Sequence, residues 1–149
     1  MKVRKIDKDS HDIKGLTSLM NQWDDITSEL TYEYIKAKLA RISSTDNSVV
    51  LIAEENKVIL GYVYLSEVIF LGMEPFIELQ SILVDSKLRR KGIGKRLIKA
   101  AEEWTVAAGF HKIVLSSRTH LTGAHEFYRS LGYNLYKQSF FFSKNPGKG

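Results

Sequence analysis

Apolar residues recur along this chain with two periods. Between residues 10 and 21, Ile13, Leu16, Leu19 and Met20 fall at the three- and four-residue spacing of one helix face, with Ser10 placed to cap it. A second such face, Leu30, Tyr34, Ile35 and Leu39, runs from Thr27 or Ser28 to Ile42 and gives way to the polar loop Ser43-Ser44-Thr45-Asp46-Asn47. The period then shortens. Residues 48–54 are dense in Val, Leu and Ile, Glu55-Asn56-Lys57 make a turn, and residues 58–70 alternate aromatic and aliphatic side chains, which predicts an antiparallel hairpin. Residues 76–84 read as a further strand, 92–108 as a long helix stopped by Gly109, 111–116 as a strand, 122–131 as a helix stopped by Gly132, and 133–142 as a final strand. With a short strand at 2–6, the order is strand, two helices, a three-strand meander, helix, strand, helix, strand. That order predicts a mixed sheet covered by helices, of α/β or α+β type, in one domain spanning residues 1–149.

Composition narrows the picture by exclusion. The chain has no cysteine, so disulfides, thiolate metal sites and a cysteine nucleophile are ruled out. Residues 1–9 alternate Lys, Arg and Asp around Val3 and Ile6 and lack the apolar run of a signal peptide, and no stretch approaches the roughly 18 apolar residues of a membrane span. A cytoplasmic location away from membranes is expected. No His-x-x-x-His or similar spacing supports a metal site, and none is predicted. His11 and His111 read as surface and strand-start residues.

The net charge of +5 is unevenly placed. Residues 87–99 hold Lys87, Arg89, Arg90, Lys91, Lys95, Arg96 and Lys99, and removing those seven from 22 basic residues leaves 15 against 17 acidic ones. This argues for one local anion site and against a broad nucleic-acid-binding face.

The anion site has a sequence to match. Arg89-Arg90-Lys91-Gly92-Ile93-Gly94-Lys95 has the form Arg-x-x-Gly-x-Gly and falls between a predicted strand and a predicted helix, at the carboxyl end of the strand, where sheets of this kind hold cofactors. The first amides of a helix have no partner inside it and carry the positive end of the helix dipole. Glycine at 92 and 94 lets a diphosphate lie against them. The loop is not a Walker motif, since Lys95 is followed by Arg96, and it lacks the third glycine and distant acid of a dinucleotide fingerprint. Taken alone, it could also be a solvated charged turn.

The run Ile82-Leu83-Val84, the turn, Arg89-x-x-Gly92-x-Gly94 and the following helix resemble the coenzyme A motif of the GNAT N-acetyltransferases. The likeness covers residues 76–142 and, through element order alone, the rest of the chain. It implies a mixed, mostly antiparallel sheet of about six or seven strands with about four helices, splayed at the strand before the loop. It implies acetyl-coenzyme A as cosubstrate, with the diphosphate on the amides of Arg90, Lys91, Gly92, Ile93, Gly94 and Lys95 beside Arg89. Ile82, Leu83 and Val84 would pair their main chain with the pantetheine arm.

The resemblance also assigns chemistry. Ala124-His125-Glu126-Phe127-Tyr128-Arg129-Ser130-Leu131-Gly132-Tyr133 looks like the family's Ala-x-x-Phe-Tyr segment, which makes Tyr128 the general acid, with a core aromatic as the plain alternative. Many members carry Asn seven residues earlier, where this chain has Leu121. Glu78, six residues before Val84, occupies the place of the family's base, with Glu74, His120 or water in reserve and a plain surface glutamate as the alternative. The string from Ser116 to His125 is loosely similar to aminoalkylphosphonate and antibiotic N-acetyltransferases, and points to a small-molecule amine as acceptor. Trp23, Tyr32 and Tyr34 would border its pocket. Phe140-Phe141-Phe142 fit either a core strand or a homodimer interface. A non-catalytic module that senses acetyl-coenzyme A or binds nucleic acid is the alternative to an enzyme.

Overall fold

The computed structural model describes residues 1–148. They form two compact units, one of Met1–Ser116 and a second beginning at Ser117. The first unit holds β1 (Lys2–Lys5), α1 (Ser10–Met20), α2 (Tyr32–Ser43), β2 (Ser48–Glu55), β3 (Val58–Val68), β4 (Phe76–Val84), a single 3-10 turn at Ser86–Leu88, α3 (Ile93–Ala107) and β5 (Ile113–Leu115). The second holds α4 (Thr122–Ser130). The five strands make one sheet in the order β1-β2-β3-β4-β5, antiparallel except for the parallel pair of β4 and β5.

Both faces of the sheet are covered, which explains why residues 49–53 read as an unbroken apolar run. Val50, Ile52, Ile59 and Tyr62 pack with Ile13, Leu16, Leu19, Ile35 and Leu39 of α1 and α2. On the opposite face α3 buries Leu97, Ile98 and Ala101, and a fully buried Leu or Ile contributes about 1.5–3 kcal/mol. Asp9, one residue ahead of the predicted Ser10, caps α1 by accepting from the Asp12 amide. α2 starts at Tyr32, later than predicted, because the Asn21 side chain bonds both the N–H and the C=O of Leu30 and holds residues 21–31 as a loop; the Thr31 hydroxyl then caps the helix. Gly109 and Gly132 end their helices at φ 91° and 92°, as expected.

The largest departure is at the C-terminus. Residues 133–142 form no strand among the described residues, so the sheet has five strands and not six or seven. Nor is the Phe140-Phe141-Phe142 triplet in the core: the three side chains are 91%, 87% and 94% exposed. An alternating pattern records what a strand would present, but a strand exists only where a neighbour takes up its amides.

The sequence also gave no sign of the charged cluster under β1. Arg4 donates to both carboxylate oxygens of Asp12 at 2.8 Å and to Glu54 Oε2 at 2.7 Å, tying β1 to α1 and β2. Asp12 and Glu54 are buried, and the hydrogen bonds from Arg4 hold both carboxyl groups below their usual range. With His11 these two carboxylates make the one His and acid grouping among the described residues, but the Arg4 guanidinium already fills it. No helix among those residues is long and apolar enough to cross a membrane.

Candidate functional site

The site is built where β4 gives way to α3. β4 is not regular: Leu65 pairs with Leu79 and Tyr64 with Ser81, so Gln80 is an extra residue, a bulge in the strand. Gln80 donates to the Ser66 hydroxyl at 2.8 Å. On its other side β4 meets β5 only at Ile77, Glu78 and Leu79. From Ser81 to Val84 that side has no neighbouring strand among the described residues, so the sheet opens there.

The direction of the free groups follows from the register. The Asp85 amide bonds the Leu60 carbonyl at 2.8 Å, continuing the pairing of Val84 with Gly61. In an antiparallel ladder alternate residues bond the partner and those between point away. Leu83 and Ser81 therefore face β3, and the main-chain groups of Ile82 and Val84 face the open side. Residues 81–84 are all half-buried.

Beyond the strand the chain makes the turn at Ser86–Leu88, capped by the Asp85 carboxylate on the Lys87 amide at 2.9 Å. Arg90 and Gly92 then take left-handed conformations, φ 66° and 82°. For Arg90 this is strained, by about 1–3 kcal/mol. Such residues turn neighbouring amides inward to form an anion-binding concavity. A Cβ on Gly92 would meet no protein atom within 4 Å, so glycine is required here by conformation and not by space. Gly92 opens α3, and no side chain caps that end, leaving the first helical amides unpaired. Lys87, Arg89, Arg90, Lys91, Lys95, Arg96 and Lys99 are exposed, and none has an ion-pair partner among the described residues.

Several features of this corner had no sequence signal. The Ser86 amide donates to Gln22 Oε1 at 2.9 Å, fixing the end of α1 to the start of the loop. Tyr62, 4% exposed, donates to the Ser81 hydroxyl at 3.1 Å, and burial pushes its phenol pKa up. Trp23 lies in the loop after α1, where its indole N–H bonds Asp25. Tyr34 is half exposed under Lys38, while Tyr32 and Trp23 pack on the α1/α2 core.

Glu78 is half-buried on β4, opposite Ser66 and Val114, one residue before β5 parts from β4. Its carboxylate is in no ion pair or hydrogen bond among the described residues. Tyr128 lies in the second unit on α4, half-buried, with the Phe127 and Tyr133 rings 5.4 and 6.1 Å away. Burial raises its pKa above the ordinary phenol value. His125 contacts the Arg118 carbonyl at 2.9 Å, and His120 is exposed.

Comparison with known proteins agrees with this architecture. Residues 13–133 match the sequence profile of the acetyltransferase (GNAT) family. N-acetyltransferase 8 of Homo sapiens is 32% identical over 68 residues, a span of 46% of this chain and only 30% of that protein. Among solved structures, a putative acetyltransferase from Agrobacterium tumefaciens superposes with TM-score 0.86 at 23% identity, covering 97% of this chain and all of that one. AAC(6')-Iy in complex with a bisubstrate analogue of coenzyme A and acetylneamine gives TM-score 0.81 at 20% identity, covering 97% of each chain. The aminoglycoside 6'-N-acetyltransferase AAC(6')-IG from Acinetobacter haemolyticus gives 0.77 at 21% identity, covering 97% and 99%. At these identities the structural likeness is one of fold.

Proposed function

Because this chain belongs to the GNAT acetyltransferase family, we propose that it moves the acetyl group of acetyl-coenzyme A to a primary amine of a small molecule. The observation that carries this reading is the continuous open main chain from Ile82 and Val84 into the uncapped start of α3.

The residues present fit coenzyme A. Its diphosphate matches the unpaired amides between Arg90 and Lys95, with the free cations of residues 87–99 adding longer-range attraction. Its pantetheine arm carries amides that suit the exposed main-chain groups of Ile82 and Val84, as an added strand would. Bound there, acetyl-coenzyme A supplies an activated thioester whose sulfur leaves as a thiolate.

The chain's own residues then have two proton tasks. The attacking amine must be neutral, and Glu78, unpaired beside the opening in the sheet, takes its proton directly or through water. Tyr128 gives a proton to the departing sulfur; its raised pKa keeps the phenol protonated at neutral pH, which is the state an acid needs. With no cysteine in the chain, the amine attacks directly, without an acetyl-cysteine intermediate.

The test is a panel of amines, including free amino acids, polyamines, aminophosphonates and aminoglycosides, for which the Acinetobacter haemolyticus neighbour is named, incubated with acetyl-coenzyme A while free thiol is followed. Turnover with one chemical class is expected. Tight cofactor binding with no thiol release from any amine would replace the enzyme with a sensor.

A further inference from the structure

We infer that Gln80 selects the acceptor: its side-chain amide holds a neutral hydroxyl or carboxamide lying a few bonds from the amine that Glu78 deprotonates. This rests on the acetyl-transfer reading above and narrows it to amines with such a neighbour, over plain alkylamines and amines that carry a carboxylate there.

The bulge in β4 sets the geometry. Side chains of residues paired across two strands project to the same face of the sheet, and along a strand that face recurs every second residue. Glu78 pairs with Ser66, and Ser81 with Tyr64, so Glu78 and Ser81 share a face with Ser66, Tyr64 and Tyr62. In a regular strand positions 78 and 81 would fall on opposite faces. The extra residue, Gln80, corrects the count, and its own side chain is on this face too, because it reaches the Ser66 hydroxyl at 2.8 Å. Two consecutive polar side chains, Gln80 and Ser81, are thereby turned to the side on which Glu78 stands.

The two differ in what they have left to offer. Ser81 accepts from the buried Tyr62 hydroxyl. Gln80 is exposed, and one N–H of its amide is committed to Ser66, itself buried. That bond fixes the amide, while its carbonyl oxygen and second N–H bond no other group among the described residues. The amide thus presents an acceptor and a donor together, the combination that a hydroxyl or a carboxamide satisfies. An alkyl group satisfies neither. A carboxylate satisfies only the donor and would stand beside Glu78, the one charged side chain that residues 62–66 of β3 and 78–83 of β4 turn to this face. Positions 78 and 80 are about 7 Å apart along the strand, so one small molecule reaches both.

Two matched pairs of amines test this: ethanolamine against propylamine, and glycinamide against glycine, each with acetyl-coenzyme A while free thiol is followed. In the wild type the first of each pair should have the higher kcat/KM by about tenfold, the effect of one hydrogen bond between neutral groups. Gln80→Leu, at an exposed position, should bring ethanolamine and propylamine to within about twofold of each other by slowing ethanolamine, with the thermal shift from coenzyme A retained to show that the variant is folded. Ser66→Ala, which releases the amide from its tether, should lower the preference through KM and not kcat. Thiol release without a preference in the wild type, or a preference that survives in Gln80→Leu, overturns the inference and leaves acetyl transfer standing. No thiol release from any of the four amines or from the wider panel overturns both.

Discussion

A Cβ added to Gly61 would stand 2.8 Å from the Leu83 carbonyl oxygen and 3.1 Å from Leu97 Cδ1. The first contact is backbone and cannot rotate away, so Gly61→Ala must push β3 from the end of β4 at a cost of about 1–3 kcal/mol. Since Gly61 pairs with Val84, the same shift disturbs the open strand. The variant should melt lower and bind coenzyme A more weakly, read by thermal melts and titration calorimetry; an unchanged midpoint would mean that the strands have slack. Gly15 is the contrast, for its Cβ would meet the tip of Ile59, which can turn aside. At Tyr128 the single atom that matters is the phenol oxygen. Tyr128→Phe should lower kcat by roughly 10²–10⁴ with little change in coenzyme A affinity. An acid works while protonated and burial has raised this pKa, so the alkaline fall of the wild-type rate should come only above pH 10, the ordinary phenol value. In the variant that fall should be absent.

Among elements, β4 separates binding from stability by the parity of its residues. The Ile82 amide faces the open side and the Leu83 amide faces β3. Proline removes an amide, so Ile82→Pro should keep most of the melting temperature and lose coenzyme A affinity, while Leu83→Pro should lose both. Equal melting losses would show that the register argument is wrong. The cluster joining β1, α1 and β2 makes a second prediction. Asp12 and Glu54 are held below their ordinary values of 3.8 and 4.5, chiefly by hydrogen bonds from Arg4, so the stability they add is present above those values and is lost as pH falls through the lowered ones. Arg4→Met should drop the melting midpoint by roughly 10 °C at pH 7, and the gap from wild type should close below about pH 4. Much of this architecture was legible beforehand: β4 ended at Val84 and α3 opened at Gly92, as apolar period and glycine placement indicated. What escaped depends on partners distant in sequence. Gln22 reaches Ser86 across 64 residues and Arg4 reaches Glu54 across 50, and no local period encodes either. The tail differs from expectation as well, since residues 133–142 had the pattern of a strand and form none among the described residues.

For the whole molecule the deciding quantity is where charge sits. Seven cations lie in residues 87–99, while the remainder is 15 basic against 17 acidic, so the long-range field of the protein is nearly that of one corner. A ligand that binds only the folded state stabilises it by RT ln(1 + [L]/Kd), about 2.7 kcal/mol at a hundredfold excess over Kd. Coenzyme A at that excess should therefore raise the melting temperature by several degrees. Dephospho-coenzyme A and pantetheine shorten the anion in steps, and the shift should shrink in the same order, with the largest drop on losing the diphosphate. Raising salt from 0.05 to 0.5 M should weaken the nucleotide far more than pantetheine, because screening acts on exposed charges and spares main-chain pairing along β4. If pantetheine alone gave the full shift, the amides at the start of α3 would not be the anchor. If salt abolished binding entirely, the cations would be holding the ligand without the help of the backbone.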